Sequence, residues 1–171
     1  NDDVRVVLIK LADRLHNCRT IEFMPEHKRD KILSETMFVF IPLAHRLGLY
    51  GIKSEMEDIW LRYKEPEAFN EITEKINRNI SDKDREISDF IAPINDALKA
   101  AGFKYEIKKR VKTPYSIWNK MNNKGIPFDQ IYDLYAVRII FDPDKDSKET
   151  ERDQCYHVFS IITGLYRYKA D

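Results

Sequence analysis

Three groups of side chains have types and spacings suited to phosphate or metal chemistry. Asp13, Asn17 and Thr20 stand at i, i+4 and i+7. On a helix that spacing brings a carboxylate, a carboxamide and a hydroxyl to one face, where they can converge on a metal-bound phosphate or a nucleotide. The same spacing also describes a plain polar stripe opposite an apolar face, and one Asp without a nearby pair of histidines is not a metal site by itself. The second group, Lys104 to Lys124, holds Lys104, Lys108, Lys109, Arg110, Lys112, Lys120 and Lys124 against a single acid, Glu106. Lysine point charges and the arginine fork both neutralise phosphoryl oxygens, so the cluster suits a polyphosphate; a solubilising edge strand guarded by lysines has the same composition. The third is Asp133, beside Tyr132 and ahead of Tyr135. A carboxylate at a strand entrance, a strand away from a basic cluster, is where Mg²⁺ would be held against substrate phosphates, although such aspartates also serve as simple turn residues.

Those residues need elements to position them. Val4, Leu8, Leu11 and Leu15 recur at helical spacing and predict a first helix to Thr20. A second is expected from about Ser34 to Leu49, buried on nearly every side over Phe38–Ala44 and kinked at Pro42. Ser54 and Glu57 have capping-box spacing ahead of a third helix with Met56, Ile59, Trp60 and Tyr63 inward. Pro66 opens a long helix whose isoleucines, from Ile72 and Ile76 through Ile80, Ile87, Ile91 and Ile94, run to Gly102, with a charged outer face that includes Asp82 and Lys83. The period then changes. Phe103, Tyr105 and Ile107 alternate with charged residues as in a half-buried strand, on which Lys108, Arg110 and Lys112 share one side. Thr113-Pro114 opens a short helix carrying Ser116 and Lys120 at i and i+4; Leu134–Phe141 reads as a strand; and a charged loop, Asp144–Asp153, precedes a last helix with Tyr156, Phe159, Ile162 and Leu165.

Composition narrows the classes. Lys plus Arg and Asp plus Glu each number 29 in 171 residues, so no whole-chain field draws the protein to nucleic acid or membrane. Cys18 and Cys155 lack metal-site or disulfide-framework spacing, which fits the cytoplasm. The longest apolar run, Met37–Ala44, is too short to span a bilayer, and Asn1-Asp2-Asp3 is no signal peptide.

Three ordered words then carry a resemblance. Leu8-Ile-Lys-Leu-Ala-Asp-Arg-Leu-His-Asn-Cys-Arg-Thr20 is similar to the segment bearing the last metal-binding aspartate of the HD-type hydrolase domain of RelA/SpoT homologues. Pro42-Leu-Ala-His-Arg-Leu-Gly48, with Ile52-Lys-Ser-Glu-Met-Glu-Asp58, resembles the helical stretch that follows. Arg110-Val-Lys-Thr-Pro-Tyr-Ser-Ile-Trp-Asn-Lys-Met121, with Ile131-Tyr-Asp-Leu-Tyr-Ala-Val-Arg138, resembles the opening of the synthetase domain. The resemblance implies a mainly α fold followed by α/β: C-terminal helices of a hydrolase domain over 1–64, a linker helix over 65–101, and the first strands and helices of a nucleotidyltransferase-like synthetase over 102–171. It implies that Asp13 is a catalytic ligand of Mn²⁺, with Asn17 and Thr20 lining the nucleotide pocket. Arg110, Lys112, Ser116 and Lys120 would surround the ATP polyphosphate, Arg138 would contribute to the same site, and Asp133 would be the catalytic Mg²⁺ ligand.

The activity so implied belongs to the stringent response: pyrophosphate transfer from ATP to the 3′-hydroxyl of GDP or GTP, and hydrolysis of the 3′-pyrophosphate of (p)ppGpp. Nucleotides would be its ligands, membrane and direct nucleic-acid binding are not expected, and ribosome or regulator contacts would fall to C-terminal regions outside this chain. The linker helix would transmit reciprocal switching through positions such as Ile87 and Ile91. The family's upstream histidines, its His-Asp pair, its nucleotide-stacking loop and a later glutamate are not in this sequence, so the chain alone is expected to perform neither reaction. Cys18 replaces a larger apolar residue of the family, a change read as harmless. The rival reading is a non-catalytic interaction or RNA-binding module, which would bind single strands with steep salt dependence, helped by stacking on Tyr115 or Trp118.

Overall fold

A computed structural model describes residues 4–167, without the side chains of Val4 and of residues 80–82. The inward roles expected of Val4 and Ile80, the place of Asp82 on a charged face, and the two chain ends at Asn1-Asp2-Asp3 and 168–171 therefore lie outside the described residues. The fold is mostly helical, as the sequence predicts, and the strands among the described residues form a two-stranded antiparallel sheet. It divides into two compact units, Asn1–Lys75 with Lys112–Leu134, and Ile76–Val111 with Tyr135–Asp171. No helix among the described residues is long and apolar enough to cross a membrane.

In the first unit, α1 (Val4–Arg19) turns Leu11, Leu15 and Cys18 inward, with Val7 packed against them. Leu8, expected on that stripe, is 43% exposed, because the buried face steps from Val7 by fours and threes. Cys18 is fully buried, its Sγ 3.4 Å from the Thr36 hydroxyl, and desolvation raises its thiol pKa.

The second predicted helix differs in three ways. It begins earlier, as α2 (Glu26–Glu35); it widens to a π-helical stretch over Thr36–Phe40; and it resumes as α3 (Ile41–Arg46). The Ile41 N–H donates to the Thr36 carbonyl, five residues back. Pro42 has no N–H to offer the preceding turn, and the wider register beside it accommodates the loss. The helix is also not buried all round. Ile41 and Ala44 face the core while Phe38, 79% exposed, and Val39 point outward.

α4 (Tyr50–Lys64) starts before Ser54, so Ser54 and Glu57 are not a capping box; Glu57 is buried and accepts from Lys53 Nζ at 2.6 Å. Met56, Ile59 and Leu61 are buried in this helix, and Trp60 meets Tyr115 and Trp118 at ring-centroid distances of 6.1 and 6.0 Å. Those two rings belong to α6 (Pro114–Lys124). Thr113 caps α6, Pro114 fills its first turn, and Gly125, at φ 62°, closes it in the left-handed region that suits glycine.

α5 (Pro66–Ala100) begins at the expected proline and runs 35 residues, with Pro93 inside it. Ile72, Ile76, Ile91, Ile94 and Leu98 are buried and Ile87 is half-buried. Gly102, at φ 79°, ends the helix as Phe103 N–H returns to the Leu98 carbonyl at 3.1 Å.

In the second unit, β1 (Lys104–Val111) pairs antiparallel with β2 (Tyr135–Asp142) from Lys104↔Asp142 to Val111↔Tyr135. Lys112, expected on the strand beside Lys108 and Arg110, lies beyond its end and in the other unit. α7 (Glu151–Leu165) begins with a Thr150–Asp153 capping box and buries Gln154 and Val158. Tyr156, Phe159 and Leu165 are exposed, since the buried face runs through Val158, Ile161 and Ile162 onto Ile94 and Leu98. Replacing Leu61, fully buried, with Ala is expected to destabilise the chain by about 2–5 kcal/mol, read from the midpoint of chemical denaturation. A loss below about 1 kcal/mol would mean that α4 is not packed as described.

Candidate functional site

Asp133 is held by a short, anchored loop. After Gly125 the chain buries Phe128, the first residue of a 3-10 turn, Phe128–Gln130, and Ile131, which follows it. The Lys112 N–H then donates to the Leu134 carbonyl at 2.8 Å, closing the loop where β1 ends and β2 begins. This leaves the Asp133 carboxylate between two ammonium groups: Lys120 Nζ lies 2.7 Å from Oδ1, and Lys112 Nζ 3.0 Å from Oδ2.

The hydrogen bonds from Lys120 and Lys112 hold the Asp133 pKa at about 2, below the ordinary carboxylate value. The group is therefore ionised throughout the physiological range. Because the folded value lies below the unfolded one, its stabilising contribution is present above about pH 4 and is lost as pH falls through about 2. The pair is half-exposed and screened by solvent, so that contribution is modest.

Ser116 stands one turn before Lys120 on α6, and its Oγ is 2.9 Å from the Thr113 Oγ1 that caps the helix. Lys112, Ser116, Lys120 and Asp133 thus share the first unit. Arg110 and Arg138 belong to the second. Arg138 stands directly opposite Lys108, and Arg110 opposite Ala136, so Lys108, Arg110 and Arg138 share the solvent face of the sheet. Lys109 turns the other way and pairs with Asp84 at 2.8 Å.

On α1, Asn17 Nδ2 donates to Asp13 Oδ2 at 3.2 Å, so these two meet on an open face. Thr20 turns its hydroxyl onto its own helix, donating to the His16 carbonyl at 2.9 Å. Among the described residues no group of three or more His, Cys, Asp or Glu is arranged to hold a metal ion. Asp13 would supply one oxygen ligand, consistent with a hard or borderline cation completed by other groups. Asp133 fits Mg²⁺ in chemistry, being an ionised carboxylate, and in this structure each of its oxygens is engaged by a lysine.

Sequence reasoning did not single out Asp58. Its Oδ1 accepts the Tyr115 N–H at 2.9 Å, and burial lifts its pKa to about 6, with the Glu57 charge adding to the effect. The signal was present: Asp58 sits three residues before Leu61 and next to Ile59, both buried, a spacing that places an acid at the edge of an apolar face.

Two family profiles match the chain. Residues 1–50 match an HD domain and residues 109–171 match a region found in RelA / SpoT proteins. The GTP pyrophosphokinase of Myxococcus xanthus is 44% identical over 165 residues, which is 96% of this chain and 21% of that protein. The guanosine-3′,5′-bis(diphosphate) 3′-pyrophosphohydrolase of Aquifex aeolicus is 37% identical over 167 residues, 97% of this chain and 23% of that protein. The GTP pyrophosphokinase of Photobacterium angustum is 34% identical over 98% of this chain. The chain spans 20–23% of the length of these and several other curated relatives it matches.

Replacing Lys120 with Ala removes the largest cause of the depressed Asp133 pKa, so that pKa is expected to rise from about 2 toward its ordinary value in a carboxyl-carbon NMR titration. An unchanged titration would show that the ion pair does not form in solution.

Proposed function

Because the chain is a segment of a long RelA/SpoT homologue, we propose that the protein containing it makes and hydrolyses the guanosine alarmones of the stringent response in the cytoplasm. The observation that carries the synthetic half is the Asp133 carboxylate clasped by Lys112 and Lys120 at 3.0 and 2.7 Å. In this reading a bound ATP draws the two ammonium groups onto its phosphoryl oxygens. Asp133, released from them, is then an ionised ligand for Mg²⁺, which would supply charge neutralisation at the phosphates. The 3′-oxygen of GDP or GTP would form a bond to the β-phosphorus of ATP as the bond from that phosphorus to the α–β bridging oxygen breaks; AMP leaves with that oxygen and the hydroxyl proton passes to solvent. Ser116 sits one helical turn from Lys120 and would donate to a phosphoryl oxygen; the resemblance implies the same ligand for Arg110 and Arg138.

The hydrolytic half rests on Asp13 with Asn17 beside it. Asp13 would ligate Mn²⁺, which would supply an activated water, and Asn17 and Thr20 would line the nucleotide pocket. Hydrolysis would release pyrophosphate and return GDP or GTP. One carboxylate does not complete a metal centre, and turnover is assigned to the longer protein.

In that longer protein, Lys120→Ala or Asp133→Asn is expected to lower alarmone synthesis by about 10²-fold or more while hydrolysis stays within about twofold of wild type. Asp13→Ala should do the reverse. Chromatographic assay of labelled nucleotide with Mg²⁺ and with Mn²⁺ reads both reactions. Loss of synthesis and hydrolysis together in each variant would sink the assignment of two separate sites. Salt-sensitive binding of single-stranded RNA in place of ATP would favour an RNA-binding module instead.

A further inference from the structure

The first turn of α6 has two backbone donors to satisfy, because Pro114 has no N–H. Thr113 Oγ1 accepts the Ser116 N–H at 3.3 Å. The Tyr115 N–H is left, and its acceptor comes from another helix: Asp58 of α4, at 2.9 Å. The ring of the neighbouring Trp60 packs on Tyr115 and Trp118 of the same α6. Asp58 lies between the two stretches matched to known families, residues 1–50 and 109–171.

We propose that Asp58 is a positioning residue for the phosphate-binding end of α6: by taking the Tyr115 N–H it fixes the helix that sets Lys120 against Asp133. The functional consequence rests on the synthetic reading above; the positioning itself does not. Magnitude supports the effect. Lys120 is five residues from Tyr115, roughly 7.5 Å along the helix axis, so a tilt of about 10° at the first turn displaces it by roughly 1 Å. Such a displacement is enough to break a 2.7 Å contact.

An ionisable group is retained here where its charge is disfavoured. Glu57, adjacent in sequence, is buried with one oxygen lacking a hydrogen-bond partner and adds to the negative field at Asp58. Arg19, Glu55 and Arg62 line the small cavity against which Asp58 lies, and Arg19 is already committed to Glu55 at 2.5 and 2.8 Å. Among the described residues, the helix cap is the hydrogen bond that offsets the burial of this carboxylate.

The test compares Asp58→Ala with Asp58→Asn, whose carboxamide oxygen can accept the same bond. In the 171-residue chain, Lys120 acylation by a lysine-reactive ester is followed by mass spectrometry with Lys112 as reference, alongside hydrogen exchange at the Tyr115 amide. Asp58→Ala is expected to speed labelling of Lys120 relative to Lys112 by about fivefold, and Asp58→Asn to leave it near wild type. Unchanged Lys120 labelling in Asp58→Ala, with Tyr115 exchange accelerated, overturns the proposal; so does equal acceleration in Asp58→Asn.

If all lysines accelerate together in Asp58→Ala, the chain has unfolded, and Asp58→Leu, which keeps the branching at Cγ and cannot accept a hydrogen bond, replaces it with the same expectations. In the longer protein, Asp58→Ala should raise the KM for ATP several-fold with little change in kcat for synthesis or in hydrolysis, and Asp58→Asn should restore it. Absence of synthesis in the wild-type protein would overturn the proposed function, while the labelling result still decides the positioning.

Discussion

The first unit depends on α4 packing in two directions at once. Met56, Ile59 and Leu61 are buried in it, while Asp58 and Trp60 engage α6. Each fully buried aliphatic side chain contributes about 1.5–3 kcal/mol relative to exposure, so the apolar contacts supply the stability. The polar contact supplies direction. Apolar burial tolerates rotation of α6 about its axis, whereas a single acceptor aimed at a single backbone N–H does not. Everything that α6 carries, Ser116 and Lys120 included, inherits that orientation.

Charge is arranged on the same logic. A chain with equal numbers of acidic and basic residues concentrates cations between residues 104 and 124, and the fold answers them locally. Lys109 meets Asp84, Lys108 meets Glu106, and Lys112 and Lys120 both meet Asp133. The last cluster differs from the others in carrying two cations on one anion. That excess of positive charge, on half-buried side chains, is what a polyphosphate would neutralise. Like-charged Lys108 and Arg138 directly opposite one another on the sheet are similarly unfavourable alone and favourable beside an anion.

The second unit solves a different problem. Two strands do not make an independent sheet, so their inner face must be covered. Tyr105, Ile107, Ile139 and Phe141 pack on Ile94, Leu98 and Val158, and the Tyr105 hydroxyl donates to Asn95 of α5. Helix periodicity in α5 and strand periodicity in β1 meet at Gly102, whose left-handed backbone lets one pattern end and the other start with three residues between them.

The sequence by itself determined which elements form wherever the signal is local. Pro66, Gly102, Thr113-Pro114 and Gly125 mark ends through backbone sterics, and the alternation after Gly102 needs no partner to be read. The expected pairing of polar chemistry with α1, α6 and the entrance to β2 follows from spacing of the same short range. Only the tertiary structure decided which face of a helix is inside, because that depends on what packs against it. Leu8, Phe38 and Phe159 are apolar yet exposed, and Glu57 is acidic yet buried. Nor does any local rule bring Asp58 to Tyr115, 57 residues away, or set two lysines on Asp133. Those contacts exist because α4 and α6 share a core, and side chains far apart in sequence meet only once that core has formed.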